Sequence, residues 1–290
     1  MRHPEWIKVP LSGTHETKKL LRSYGLSTVC EEARCPNQGK CFSKNTATFM
    51  ILGDRCTRNC SFCAVDSLLP GPPDSEEPGR VAEAAVKLGL KFVVITSVTR
   101  DDLEDGGAGH FSKTIEAIRK LKKTIKIEVL IPDFKGDSKA LSTVLEAGPD
   151  VFNHNVETVP RLYDQVRPQA DYIISLNVLK MAKEMFPYIK TKSGMMVGFG
   201  ETFEETLMVM QDLRNAECDF LTVGQYLQPG KTNIPVAEYI RPEVFEQYKE
   251  RALEMGFRAV ASSPLTRSSM NAGDLFEEAS AEHPNITDRF

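Results

Sequence analysis

From residue 48 onward, short apolar runs of β character alternate with longer stretches of helical period, and no other feature constrains the fold as strongly. The runs are TFMIL (48–52), FVVITS (92–97), KIEVLI (126–131), DVFNHN (150–155), KSGMMVG (192–198), FLTVGQY (220–226) and RAVAS (258–262). Between them lie amphipathic helical periods. Phe111, Ile115, Ile118 and Leu121 share one face, as do Phe203, Leu207, Met210 and Leu213, and then Phe245, Tyr248, Ala252 and Met255. The first of these helices ends in basic residues, which suits the negative end of its dipole. Strands separated by helices of this length require right-handed crossovers and therefore a parallel sheet. The residues alone leave two architectures open, a doubly wound open sheet and a full or partial (β/α) barrel. Both place their chemistry in the loops that follow the strands.

With 290 residues, 41% of them hydrophobic, the chain can bury a large core. Its net charge of −4 supplies no basic footprint for nucleic acid, so no such partner is expected. No stretch approaches the roughly 20 apolar residues of a spanning helix, and the N-terminus lacks the apolar centre of a signal peptide. A cytoplasmic protein without membrane contact is expected. Thiols there stay reduced, so clustered cysteines point to metal or redox chemistry rather than to disulfides.

Six of the seven cysteines fall in two triplets, CEEARCPNQGKC (30–41) and CTRNCSFC (56–63). The second lies in the first strand-to-helix connection, which runs on through the Pro- and Gly-rich LLPGPPDSEEPGR (68–80) to about 25 residues, well beyond the usual loop. Cys56, Cys60 and Cys63 in CxxxCxxC spacing can hold three irons of a [4Fe-4S] cube and leave the fourth open to another ligand. A zinc site normally adds a second CxxC or a HxxxH, and neither follows here. Cys30, Cys35 and Cys41 likewise suit a cluster, with any fourth ligand coming from elsewhere in the chain. Cys218 stands alone and reads as a small hydrophobe at a helix end.

The second triplet, directly after an apolar strand and with Phe62 before its last cysteine, resembles the radical S-adenosylmethionine superfamily. The resemblance implies that the open iron binds the cofactor's amino and carboxylate groups and that cleavage yields a 5′-deoxyadenosyl radical. It also implies a full or partial barrel. The pair of triplets, in this order, resembles the lipoyl synthase family, and the likeness covers almost the whole chain from Cys30. Its carriers are TFMILGDRCTRNCSFCAV, TSVTRDDLEDGGA, NHNVETVPRLYDQVRP, KSGMMVGFGET, LTVGQYLQP and PLTRSSMNA. In the last of these Met270 stands where the family usually has tyrosine, and Asn271 where histidine is frequent.

The fold expected is thus α/β, a partial (β/α)6-type TIM barrel with extensions: residues 1–47 carrying the first triplet, 48–263 the barrel, and 264–290 the Arg-Ser-Ser element. The N-terminal residues, with PEWIKVPL among them, are expected to wrap the barrel. The family's activity is a sulfurtransferase reaction, the final step of lipoate cofactor biosynthesis. Two carbons of a lysine-linked octanoyl chain, C6 and C8, each lose hydrogen to a deoxyadenosyl radical and gain sulfur from the second cluster. Unactivated C–H bonds resist acid-base chemistry, so the cofactor brings the reactive atom while the protein positions and excludes. The resemblance implies two [4Fe-4S] clusters and S-adenosylmethionine as cofactors. The partners it implies are octanoylated lipoyl domains or the glycine-cleavage H protein, a low-potential donor of ferredoxin or flavodoxin type, and an iron-sulfur carrier for cluster repair.

The auxiliary-cluster serine follows from the same likeness, and the other candidates from their places as polar residues at strand ends. A serine of RSSMNA ligates the auxiliary cluster in the family; this is carried to Ser269, with Ser268 as rival, and a hydroxyl oxygen is a harder ligand for iron than thiolate. By residue type alone, RSSMNAGD reads equally as a turn capping the next helix. Arg267 pairs with a carboxylate or is solvated. Thr96, Ser97, Asp102, Asn153, Asn155, Glu157 and Glu201 are candidates for the cofactor's amine, ribose or carboxylate, and Arg167 for a bidentate hold on the carboxylate. Asx-turns and a helix N-terminal charge are the alternatives for the asparagines and Glu201. His154, between two asparagines on a strand, is expected on the opposite side. GFGET lacks the GxGxxG spacing and reads as a close-approach turn.

Overall fold

The computed structural model describes residues 4–8, 15–43 and 48–282. Every one of the seven runs forms a strand: β1 Thr48–Ile51, β2 Phe92–Ser97, β3 Lys126–Leu130, β4 Val151–Asn153, β5 Lys190–Val197, β6 Phe220–Gln225 and β7 Ala259–Ser263. They pair in sequence order and in parallel, and an edge strand Ser27–Thr28 adds antiparallel to β1. Helices cross between them: α1 Glu77–Lys87, α2 Ala108–Leu121, α3 Ser138–Glu146, α4 Tyr172–Met185, α5 Phe203–Asn215 and α6 Pro242–Glu254, with α7 Ala272–Glu282 last. The ladder is open, and its seventh strand extends the six-strand partial barrel that was expected. A second small sheet, Arg55–Cys56 with Asp66–Ser67, ties the two ends of the long first loop.

The helical faces bury as their period dictates. Phe111, Ile115 and Ile118 of α2 are fully covered, as are Met210 and Leu213 of α5 and Phe245 and Ala252 of α6. Leu121 departs from the expectation: it is the last residue of α2 and is 54% exposed. Capping is local and strong at α5, where Thr202 and Glu205 form a reciprocal capping box.

Alternate residues of each strand face the barrel interior, which reads as three levels. At the bottom Val151, Phe220 and Ala259 pack on Leu275 and Ala279, so α7 plugs the N-terminal mouth. Burying a leucine such as Leu275 stabilises by roughly 1.5–3 kcal/mol. The middle level is polar: Lys192 Nζ lies 2.9 Å from Glu128 Oε1, both side chains 1% exposed, and Asn153 Nδ2 donates to the same carboxylate at 2.8 Å. The top level opens into a cavity. The chain reaches α7 from β7 through residues 264–271, and Gly224 makes room for that passage, since a Cβ there would lie 2.1 Å from Thr266 O.

The N-terminal extension is partly described. Ile7 is buried in the turn Glu5–Ile7, and Leu21 in the helix His15–Ser23 joins the core; Val9 to Leu11 of PEWIKVPL, residues 44–47 and residues 283–290 of the expected C-terminal extension lie outside the described residues.

Candidate active site

A cavity of about 770 Å³ occupies the C-terminal end of the barrel, and all six clustered cysteines line it. The second triplet is held from several sides. Leu52 opens the loop in left-handed conformation (φ 68°), and its N–H donates to Glu77 Oε2 at 2.8 Å, an oxygen also 2.7 Å from His110 Nε2. Arg58, between Cys56 and Cys60, is buried and grips two carboxylates bidentately. It reaches Asp101 at 2.8 and 3.1 Å and Asp133 at 2.6 and 2.7 Å. Burial works against the Arg58 charge, yet Asp133 and then Asp101 raise its pKa above the ordinary arginine value. Burial likewise works to raise the Asp133 carboxyl, but Arg58 overcomes it and holds the group at about 2. Further along, Asn59 N–H donates to Gln169 Oε1 (2.6 Å), Ser61 N–H to Val166 O (3.0 Å), and Asn233 Nδ2 to Cys63 O (2.7 Å). Thr99 N–H points at Cys56 Sγ (3.3 Å), a contact of the kind that tunes cluster potentials.

Two cysteines of the first triplet sit on short helical pieces, with Cys35 in the connection between them. Cys30 lies in Val29–Glu32, whose cap Thr28 accepts from Glu31 N–H, and Cys41 lies in Gln38–Ser43. Two long-range bonds dock this segment. The buried Asn37 donates through Nδ2 to Leu265 O at 2.7 Å, and Arg34 Nη1 to Pro229 O at 3.2 Å. The first bond brings the triplet against the Arg-Ser-Ser element, whose Thr266 to Met270 share the cavity wall.

Electrostatics test whether these thiols suit a metal cluster. Burial, reinforced by the neighbouring thiols of each triplet, pushes Cys30 and Cys63 up to about 12, and burial raises Cys60 against the opposing charge of Arg167. Thiolates so placed need a positive centre among them, which iron supplies. Among the described residues, no three His, Cys, Asp or Glu side chains converge tightly enough for a single ion. A four-iron cube spreads its thiolates across its corners. The cavity wall also carries three buried polar atoms with no partner, Ser97 Oγ, His154 Nε2 and Arg167 Nε. A ligand bearing both donors and acceptors satisfies them, as an amino acid with carboxylate, amine and hydroxyls would.

The remaining candidates divide. Phe62, Thr96, Ser97, Asn155, Glu157, Arg167, Arg267 and Ser269 line the cavity. Arg167 spends Nη1 on Asn155 O (3.0 Å) and Tyr163 Oη (3.1 Å), leaving its Nε edge free. Burial raises the Glu157 carboxyl, with Arg167 opposing. Three candidates lie outside the cavity lining. Asp102 stays outside the cavity lining, its carboxylate taken by Arg100 at 2.8 Å. Glu201 turns back to accept from Gly198 N–H (2.6 Å) and Phe199 N–H (2.9 Å), which fixes the GFGET turn. Asn153 lies one level below the cavity, on Glu128 and Ser268.

Two further expectations change. Arg267 pairs with no carboxylate among the described residues; its Nη1 donates to Thr266 O (2.6 Å), burial lowers its pKa, and the Cys35 charge works the other way. His154 does not face away: its Nδ1 meets Ile131 O at 2.9 Å, so Nδ1 carries the proton and Nε2 stands as an acceptor in the cavity wall. Burial, with Arg167, pushes it down to about 4 and keeps it neutral. Ser268 caps no helix, being bonded to Asn153 and Asn155. Cys218 is buried and donates to Phe220 O, as its bland reading held. Sequence reasoning passed over Arg58, Asn37, Asn233 and the Glu128–Lys192 pair. The last had a partial signal, opposite charges at Glu128 and Lys192 inside strands of the sheet.

Comparisons with known proteins bear on the family and the fold. The family model described as the Radical SAM superfamily matches residues 50–213. A lipoyl synthase of Caldanaerobacter subterraneus subsp. tengcongensis is 58% identical over 274 residues, 94% of this chain and 96% of the relative. One from Alkaliphilus metalliredigens is 56% identical over 280 residues, 96% of this chain and 97% of the relative. Among solved structures, a methylornithine synthase matches with TM-score 0.57 at 16% identity, over 87% of this chain and 75% of its own. Streptococcus suis SuiB bound to S-adenosylmethionine matches at 0.59 and 13%, over 78% and 53%. At such identities these structures speak for the fold alone.

Proposed function

The chain belongs to the lipoyl synthase family of the radical SAM superfamily, and on that premise we propose that it adds sulfur at C6 and C8 of an octanoyl chain amide-linked to a lysine of a carrier protein. The observation that carries the reading is the convergence of both cysteine triplets and the Arg-Ser-Ser element on one cavity. When bound, S-adenosylmethionine with its [4Fe-4S] cluster supplies the hydrogen-abstracting radical, and the auxiliary [4Fe-4S] cluster supplies the sulfur.

Each residue then has a task. Cys56, Cys60 and Cys63 ligate the first cluster, and the Arg58 grip keeps their loop in one shape. Cys30, Cys35, Cys41 and Ser269 ligate the second. Ser269 is favoured over Ser268 because Ser268 Oγ is committed to Asn153 and Asn155, whereas Ser269 Oγ bonds no described residue. Arg167 holds the cofactor carboxylate with its free edge, while Glu157, Asn155, Ser97 and Thr96 receive amine and hydroxyls beside Phe62. Arg267 lends positive charge next to Cys35. Met50, Met195 and Met196 make an apolar wall that excludes water and suits an alkyl chain.

The carriers are octanoylated lipoyl domains or the H protein, with electrons from a ferredoxin or flavodoxin and an iron-sulfur carrier for repair. We place the reaction in the cytoplasm, where thiols stay reduced; among the described residues no helix is long and apolar enough to cross a membrane. The three parts proposed are residues 1–47, 48–263 and 264–290. Mass spectrometry of an octanoylated lipoyl-domain peptide, incubated with enzyme, reductant and cofactor, tests the reading. Gain of two sulfurs is expected. Deoxyadenosine formed without any sulfur-bearing product would overturn it.

A further inference from the structure

A continuous hydrogen-bonded chain runs through the barrel from its polar middle level to the cavity. Lys192 Nζ donates to both oxygens of Glu128, at 2.9 and 3.0 Å. Asn153 Nδ2 donates to Glu128 Oε1 at 2.8 Å and to Ser268 Oγ at 2.9 Å. Ser268 Oγ donates to Asn155 Oδ1 at 3.0 Å, and Asn155 Nδ2 to Glu157 Oε1 at 3.0 Å. A hydroxyl has one proton, so the chain fixes the direction of every bond and a single placement of Ser268. The anchor beneath it is rigid, because a buried ion pair cannot lose one partner without stranding the other.

Geometry around the chain has been kept open for it. A Cβ on Gly194 would lie 2.8 Å from Asn155 Oδ1, so glycine there admits the asparagine amide. Asn153 Oδ1 remains buried without a partner. Such a loss is tolerated when the amide's orientation is fixed for another purpose. On either side of the pinned Ser268, Arg267 and Ser269 line the cavity. The first-triplet segment is pinned to the same stretch through Asn37 and Leu265 O.

We propose that Asn153 and Asn155 are positioning residues that pin Ser268, thereby set Ser269 against the thiols of Cys30, Cys35 and Cys41, and link that contact to Glu157 at the cofactor's end of the cavity. The inference rests on the reading of Ser269 as the fourth ligand of the auxiliary cluster. It explains the two adjacent serines, one as the pin and the other as the ligand. It also places the pin on the same asparagine that orients Glu157, so the two ends of the cavity share one bonded path.

The full chain, reconstituted with iron and sulfide, decides the matter by Mössbauer and EPR spectroscopy together with iron counts after mild chelation. Ser268→Ala removes both bonds of the pin, Ser268→Thr keeps the hydroxyl, and Ser269→Ala removes the ligand itself. The expected result is that Ser268→Ala reproduces the altered auxiliary-cluster spectrum and the loss of about one iron per chain seen with Ser269→Ala. In it the EPR response of the first cluster to S-adenosylmethionine persists, and Ser268→Thr restores the auxiliary spectrum. A native auxiliary spectrum in Ser268→Ala beside an altered one in Ser269→Ala overturns the pin but leaves the ligand reading standing. A native spectrum in Ser269→Ala overturns both.

Discussion

The two cysteine triplets face one cavity but are held in opposite ways. The loop of Cys56, Cys60 and Cys63 is stitched to the barrel by Arg58 with its two carboxylates, by Leu52 on Glu77, by Gln169, and by Asn233 from the far side. The segment of Cys30, Cys35 and Cys41 docks through Asn37 and Arg34 onto backbone carbonyls. A cluster that serves every turnover gains from a loop that cannot relax. On the proposed function the other cluster surrenders sulfur, and among the described residues its segment is held to the barrel by bonds to backbone carbonyls rather than by a buried ion pair.

This contrast predicts a graded response. Arg58→Ala strands the buried Asp133 beside the partly buried Asp101, so unfolding by denaturant should show a loss of about 3–5 kcal/mol, with the first cluster failing to assemble. A smaller loss would mean that the loop is not braced by that grip. Leu275→Ala should cost about 2–5 kcal/mol by opening a void at the barrel plug, and the loosened C-terminal passage should disturb the auxiliary cluster before the first.

Acid should act on the rigid side. Since Arg58 holds the folded Asp133 at about 2, below its ordinary value, Asp133 contributes stability that is complete above its unfolded pKa and lost as pH falls through about 2. That amounts to about 2 kcal/mol, and this pH slope should be absent from Asp133→Asn, so that it appears whole in the difference between the native protein and the variant. The smallest effect is expected from Asn37→Ala, about 0.5–1.5 kcal/mol for one hydrogen bond. Its sign of success is selective: faster iron loss from the auxiliary cluster alone.

The strands were legible because each is an unbroken apolar run between turn residues, and the parallel order followed from the helices between them. The cysteine positions were legible for the same local reason. Arg58, Asn37 and Asn233 were not, because their partners lie 43 to 75, 228 and 170 to 172 residues away, and nothing in a neighbouring sequence announces such a bond. Asp102 and Glu201 stand outside the cavity lining for the opposite reason. Both stand after strands, where function concentrates, but each is consumed by a partner within three residues. His154 was placed by strand alternation, yet β4 ends at Asn153, and past that point alternation no longer fixes direction.

The claim that one cavity carries two clusters is tested most directly by counting iron and sulfide in the anaerobically reconstituted chain and in the triple variant Cys30→Ala, Cys35→Ala, Cys41→Ala. Two cubes give about eight irons in the native chain and about four in the variant, which should still bind S-adenosylmethionine. Equal counts in the two proteins, or a single zinc in the native chain, would contradict the account.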